Sequence, residues 1–374
     1  MDFEEHAAKP LLAAAGIAIP RGQTATTPEQ AAKAAGSLGP VVVKAQVPTG
    51  KRGKAGGIKP AVDPAEAQEA ARDILGMTIG EHTVERVLVE EQADISRELY
   101  AAVLNDTASK GPLVLFSTLG GMDIEEAAAH DADAVRRLIV DIRQGFDSAG
   151  ATAVLEGLDL GDVQDAVADV LVRLYDVWRS RDAELVEINP LAITADGGVV
   201  ALDCKFTLDD LSKARQEDIT GAGVPDKLTD LEARGRELGL TYIELDGEIG
   251  ILANGAGLTM TTMDAVRHYG GNPANFLEIG GQSYTLATPA LDLVLSNPKV
   301  KTLVVNFCGA FARTDVMTEG VVSAWEELKP DIPVFFSIHG TGSKEAVPIV
   351  RERLKMEPFP TMDEAVQAAI EAAK

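Results

Sequence analysis

After about residue 238 the chain alternates short apolar runs with helix-like stretches. The runs EIGILANG, NPANFLEIGG, VKTLVVNFCG and IPVFFSIHG each end in a loop containing glycine. They are nearly continuous in Ile, Leu, Val and Phe rather than alternating apolar with polar, which is the mark of strands buried on both faces. Apolar strands separated by helices build βαβ units around a parallel sheet. The stretch TMDEAVQAAIEAA closes the chain as a last helix. This half is predicted to be a doubly wound α/β domain.

The preceding residues read differently. Residues 1–38 are expected to form helix, turn, helix, the first ending at Gly16 and the second opened by Thr27 as N-cap with Pro28 in its first turn. PVVVKAQV reads as a strand, DPAEAQEAARDIL as a helix, and VERVLVEEQ, ELYAAVLND and PLVLFST as three strands whose spacing suggests antiparallel pairing. Helices are expected to fill roughly 124–180. AELVEINPLAIT and GGVVALDCKF form a hairpin around Asp196-Gly197-Gly198, and residues 226–234 a connecting helix. The fold class is therefore α/β in two domains, a mixed α+β domain over 1–238 and the doubly wound domain over 239–374. A length of 374 residues agrees with two cores.

Composition removes several function classes. The chain carries 34 Lys and Arg against 58 Asp and Glu, a net charge of -24, so it is not expected to bind nucleic acid or an anionic membrane over its surface. No apolar run reaches the length of a membrane span. The acidic opening MDFEEHAAKP is unlike a secretory signal. Two cysteines, Cys204 and Cys308, stand outside any C-x-x-C pair, and the five histidines make no HExxH or i,i+4 pair. A reducing, cytoplasmic location and the absence of a histidine metal site are the expectations.

One segment contradicts the overall charge. Between Gln30 and Val62 there is no acid, while Lys33, Lys44, Lys51, Arg52, Lys54 and Lys59 interleave with Gly50, Gly53, Gly56 and Gly57. Flexible glycine backbone lets amides approach an anion, and the cations neutralise it, as a polyphosphate requires. The segment is no Walker A loop. Lys44 ends a three-valine strand, where a charge needs an anionic partner. Glu187-Ile-Asn-Pro and Leu202-Asp-Cys-Lys fall on facing arms of the predicted hairpin, so Asn189 and Asp203 offer two hard oxygen ligands for Mg²⁺, with phosphate and water completing the shell. Glu90 and Glu98 flank a strand connection and could accept from ribose or an adenine amine. Asn254-Gly-Ala-Gly follows a strand and precedes a helix, an arrangement for an anion, yet without the acid that a dinucleotide ribose needs.

Together these segments resemble one family. VVKAQVPTGKRGKAGGIK, LVEEQADISRELY, STLGGMDIEEAA, EINPLAIT, ALDCK, ANGAGLTMTTMDAVRHYGGNPANFLEIGG and NFCGAFARTD follow, in order and over nearly the whole chain, the β-subunit of succinate–CoA ligases. The pattern is shared by malate–CoA ligase large subunits and part of ATP-citrate lyase. The resemblance implies an N-terminal ATP-grasp domain and a C-terminal flavodoxin-like CoA-ligase domain. It also implies a reaction in which ATP phosphorylates a histidine of a partner α-subunit. The phosphoryl group then activates a small carboxylic acid, and CoA, bound mainly by the α-subunit, displaces it as a thioester. Family residues fall on Lys44, Lys51, Arg52, Gly53, Glu90, Ala93 and Glu98 for the nucleotide, on Asn189 and Asp203 for Mg²⁺, and on Asn254, Ala310, Phe311 and Ala312 for the acid. The chain itself would then hold no catalytic nucleophile and would work in an αβ or α2β2 complex.

Departures from the family cluster at its acid end. The usual Gly-Gly-Ile-x-Arg-Cys-Asp loop is Gly309-Ala-Phe-Ala-Arg-Thr-Asp315 here, and Arg-Leu-x-Gly-Thr-Asn is Ser337-Ile-His-Gly-Thr-Gly342. Lys51 stands in place of glycine, Cys204 in place of a smaller residue and Leu119 in place of Glu. An acid other than succinate is the sharper expectation. A degenerate regulatory subunit and a stand-alone amide-forming ATP-grasp ligase are the competing readings.

Overall fold

The computed structural model describes residues 1–121, 124, 134–225, 227–280 and 286–374. It divides into two compact units, Met1–Asp226 and Lys227–Lys374. The division falls earlier in the chain than residue 238. The helix Asp230–Glu237 carries a capping box between Thr229 and Glu232 and sends Leu231 and Leu238 into the core of the second unit. Among the described residues no helix is long and apolar enough to cross a membrane.

The first unit is built on two antiparallel sheets. The smaller has the order Gly22–Ala25, Val87–Glu91, Val41–Ala45, Ile58–Ala61. Helices Pro28–Leu38 and Pro64–Ile74 cover it, setting Ala31, Ala34, Ala67, Ala71 and Ile74 against Val41, Val43, Val87 and Val89. Thr27 and Asp63 cap these helices by accepting backbone amides, each just ahead of a proline in the first turn. Residues 1–38 thus contain the expected helices, Glu5–Ala14 and Pro28–Leu38, with the edge strand Gly22–Ala25 between them. Val87–Glu91 pairs in this small sheet and not with the two strands that follow it in sequence.

The larger sheet has eight strands. Its order runs Arg136–Ile139, Gly111–Ser117, Ile95–Asp106, Ala183–Thr194, Lys205–Leu208, Asp2–Phe3, Gly223–Val224, with Val199–Ala201 added to Ala183–Thr194. The hairpin about Asp196–Gly198 is present, with Leu191 opposite Ala201. Helices Ser148–Leu155 and Gln164–Ser180 pack on this sheet through Ala151, Val154, Val167, Leu171 and Leu174. Burial of each such leucine contributes about 1.5–3 kcal/mol. The span 124–180 is not all helix. Arg136–Ile139 is an edge strand, antiparallel to Gly111–Ser117, with Leu138 packed on the core and Ile139 exposed. Four residues of which only Leu138 turns toward the core are too few to separate a strand from a helix by period alone.

The second unit holds the predicted parallel sheet. Ile249–Ala253, Thr302–Gly309 and Val334–Gly340 pair in parallel in that order. Asn275–Leu277 pairs antiparallel with Tyr242–Glu244, and the residues flanking it meet Ile249–Ala253 through two isolated parallel bridges, Ile249–Pro273 and Ala253–Glu278. One face packs on helices Ala287–Leu295 and Thr314–Leu328, the other on Ala256–His268 and Met362–Ala373. Burial on both faces explains the apolar runs.

Candidate functional site

In the first unit a cavity of about 620 Å³ is lined by residues from segments far apart in sequence. Lys44, Lys51, Arg52, Gly53, Glu90, Ala93, Asn189 and Asp203 all line it. Glu98 does not. It lies on the long strand opposite Ala192. Apolar walls come from Val42, Ile58, Ile95, Pro190 and Leu202.

Irregular backbone places the two oxygen ligands. The ladder between Ala183–Thr194 and Ile95–Asp106 shifts register between Ile188 and Leu191, so Asn189 and Pro190 bulge from it. Residues 202–204 interrupt the run between strands Val199–Ala201 and Lys205–Leu208. Glu187 faces Lys205 and Leu191 faces Ala201, so Asn189 and Asp203 stand between these pairs on facing segments. Asn189 Oδ1 accepts from the Gly121 amide at 2.8 Å. Among the described residues no group of three or more His, Cys, Asp or Glu could hold a metal ion by itself. An amide oxygen and one carboxylate suit a hard cation that brings phosphate and water oxygens with it, as Mg²⁺ does.

The cavity floor is a buried ion network. Lys44 Nζ donates to Glu5 Oε1 at 2.9 Å, to Glu90 Oε2 at 2.6 Å and to the Leu202 carbonyl. Lys9 Nζ meets the same two acids and the same carbonyl. Arg52 bridges Glu5 and Asp203. Burial alone would raise the Glu5 carboxyl, but Lys44, Lys9 and Arg52 overcome it and hold Glu5 well below the usual range. Burial would lower Lys44 and Arg52, yet their acids raise both above their ordinary values. All three groups are therefore charged at neutral pH. Cys204, buried beside Asp203, has its thiol pushed well up, first by burial, and stays protonated.

Glu5 and Lys9 are the residues that linear motifs missed. Their signal was present: helix Glu5–Ala14 buries Glu5, Ala8, Lys9 and Leu12, so two charges share the stripe that faces the core. Lys51 adopts a φ of 62°, a left-handed conformation that favours glycine.

The second unit presents its own constellation at the C-terminal ends of the parallel strands. Asn254 Oδ1 accepts from the Cys308 amide at 2.7 Å and Asn254 Nδ2 donates to the Cys308 carbonyl at 3.0 Å, which ties one strand end to the next. Each end of this amide keeps a second hydrogen-bonding position. Ala310 is exposed, Ala312 half-buried and Phe311 fully exposed. The loop after Gly309 is fastened to Gly340–Gly342: the Thr341 amide donates to the Gly309 carbonyl, and the Thr314 amide and hydroxyl donate to the Thr341 carbonyl. Cys308 lies in register with His339, both exposed, and Asn306 with Ser337, both buried. Ser337 Oγ has no hydrogen-bond partner among the described residues. Ligands of open parallel sheets bind at such strand ends.

Comparison with known proteins agrees with both halves. Residues 2–193 match the ATP-grasp domain family and residues 252–371 the CoA-ligase family. The succinate–CoA ligase [ADP-forming] subunit beta of Rubrobacter xylanophilus is 44% identical, over 100% of this chain and 99% of that protein. The GDP-forming subunit beta of Thermus thermophilus is 41% identical, over 99% of this chain and 98% of its own length. An ATP citrate lyase from Methanothrix soehngenii, solved with citrate and coenzyme A, shares the fold at a TM-score of 0.72 and 23% identity, covering 99% of each chain. A cavity bearing a lysine–arginine cradle, joined in one chain to a CoA-ligase unit and matched end to end by such relatives, places this protein in the succinate–CoA ligase β-subunit family.

Proposed function

We propose that this chain is the nucleotide-handling subunit of an ADP-forming acid–CoA ligase. It binds Mg–ATP in the first unit and phosphorylates a histidine of a partner α-subunit. The phosphoryl group then activates a small carboxylic acid, and CoA, held mainly by the partner, takes the acyl group. The reading assigns the first unit to the nucleotide and the second to the acid and CoA end, in an αβ or α2β2 complex in the cytoplasm. The observation that carries it is the cavity that gathers Lys44, Arg52, Gly53, Asn189 and Asp203 from segments far apart in sequence.

The roles follow from charge and reach. Lys44, Lys51 and Arg52 neutralise the phosphates, and the Gly53 backbone lets them approach. Asn189 and Asp203 would hold Mg²⁺, which supplies charge neutralisation on phosphate oxygens when bound. Ala93 and the apolar walls Val42 and Ile95 face the base, and Glu90 holds the two lysines in place. Glu98 fits the nucleotide less directly: its carboxylate lies against Gly121, which lines the cavity. In the second unit Asn254 and Ala310–Ala312 rim the place for the acid.

The test is to purify the chain with an α-like partner and follow ADP release across a panel of carboxylic acids with CoA and Mg²⁺. Acid- and CoA-dependent turnover, with label from γ-phosphate on the partner's histidine, is expected. Mg–ATP binding without transfer would instead leave a regulatory subunit, and turnover by this chain alone with an amine acceptor would make it an amide-forming ligase.

A further inference from the structure

Arg52 faces two acids at once, one deep and one at the cavity. Its Nη1 donates to Glu5 Oε2 at 2.7 Å and to the Ala45 carbonyl at 3.0 Å. Its Nη2 donates to Asp203 Oδ1 at 2.6 Å and Oδ2 at 2.7 Å. The Glu5 side chain is 1% exposed and the Asp203 side chain 29%. The inner nitrogen is therefore locked and the outer one lies toward the cavity.

The network of Lys9, Lys44, Arg52, Glu5, Glu90 and Asp203 has three cations and three anions, so its side chains sum to zero charge. A balanced cluster has no surplus cation of its own for a polyphosphate, so a guanidinium or ammonium of this cluster that touches phosphate must leave its acid. Lys9 and Lys44 are held by buried acids and by the Leu202 carbonyl. Arg52 alone among the three has an end on a part-exposed carboxylate. That carboxylate can release it without cost in charge only if another cation arrives there.

Resting on the nucleotide reading above, we propose that Arg52 is a two-position guanidinium. Nη1 stays on Glu5 and the Ala45 carbonyl, while Nη2 passes from Asp203 to a phosphate oxygen as a divalent cation takes Asp203. Glu5 is the positioning residue that makes the exchange a rotation about a fixed end rather than a loss of the side chain. Metal and nucleotide are thereby coupled through one ion pair, each favouring the other.

The experiment is ADP titration of the full-length chain by calorimetry, with Mg²⁺ and in EDTA. Mg²⁺ should tighten ADP binding to the native chain. Asp203→Asn should tighten metal-free ADP by about tenfold, the order of one close charge pair, and remove the Mg²⁺ effect. In an Arg52→Gln background the Asp203→Asn gain should vanish, because no guanidinium remains to be released. If Arg52→Gln fails to melt cooperatively, Arg52→Lys serves in the cycle, since one ammonium cannot span both acids. Glu5→Gln should weaken Mg–ADP, with partial recovery in Glu5→Asp. An equal Asp203→Asn gain in both backgrounds would mean simple repulsion by Asp203 and overturn the exchange, as would weaker metal-free binding in Asp203→Asn. Absence of ADP binding by the native chain under either condition would overturn the nucleotide reading itself.

Discussion

Lys44 reaches across the first unit to donate to Glu5 Oε1 at 2.9 Å, joining the end of an apolar strand to the first turn of the N-terminal helix. The pair is buried, and the same Glu5 also accepts from Lys9 and Arg52. Three cations from three separate segments thus depend on one carboxylate.

Removing that carboxylate leaves buried cations short of a partner. Glu5→Gln is expected to destabilise the chain by about 3–5 kcal/mol. The effect has a pH signature. Glu5 is held below its usual value of 4.5, so its contribution is complete above pH 4.5 and is lost as pH falls through the lowered value. Lys44 is held above 10.5, so its contribution is complete below that pH and is lost as pH rises through the raised value. The gap in melting temperature between native chain and Glu5→Gln should stay flat between pH 4.5 and 10.5 and narrow in acid. A gap that widens in acid would contradict this assignment.

The left-handed φ of Lys51 sets conformation against charge. Lys51→Gly should relieve about 1 kcal/mol of backbone strain, partly offset by the greater freedom of glycine when unfolded. The same change removes one cation from the cavity. Nucleotide affinity should fall severalfold at low salt, with less loss at high salt. Melting curves and salt-dependent ADP titrations read the two effects separately.

Phe311 and Ser337 test the acid end in different ways. Phe311 is fully exposed, so Phe311→Ile should leave stability within about 0.5 kcal/mol while shifting relative turnover toward succinate. Ser337 is buried with its hydroxyl unpaired. Ser337→Arg must bring a guanidinium into a fully buried position, at a cost of about 3–5 kcal/mol. With Phe311→Ile it should move the preference further. Unchanged relative rates across an acid panel would separate these loops from acid choice.

The glycines that end strands Thr302–Gly309 and Val334–Gly340 pack backbone to backbone. A Cβ on Gly340, whose φ is 78°, would collide with the Gly309 carbonyl, and one on Gly309 with the Thr341 carbonyl. Gly340→Ala should cost more than about 1 kcal/mol, because neither backbone can yield without breaking the Thr341–Gly309 hydrogen bond. Thermal unfolding measures it, and an Ala variant of native stability would refute the contact.

Much of this architecture could be read from the linear chain because its causes are local. Continuous apolar runs with helices between them announce a buried parallel sheet, as the order Ile249–Ala253, Thr302–Gly309, Val334–Gly340 demonstrates. Thr27-Pro28 and Asp63-Pro64 mark helix starts through chemistry confined to one turn. Glycine and lysine density between Gln30 and Val62 marks a segment of which Lys44, Lys51, Arg52, Gly53 and Lys54 line the cavity. What local chemistry cannot encode is which distant charges share one site. Glu5 and Lys9 enter the cavity floor only because the N-terminal helix packs where residues 202–203 interrupt a strand run. Val87–Glu91 joins the smaller sheet rather than its sequence neighbours for a similar reason, since pairing is decided by long-range ladders and not by strand propensity. Composition and spacing determined the elements and the candidate ligands; tertiary packing alone decided that three cations and three acids meet there, since burial makes each charge require its partner.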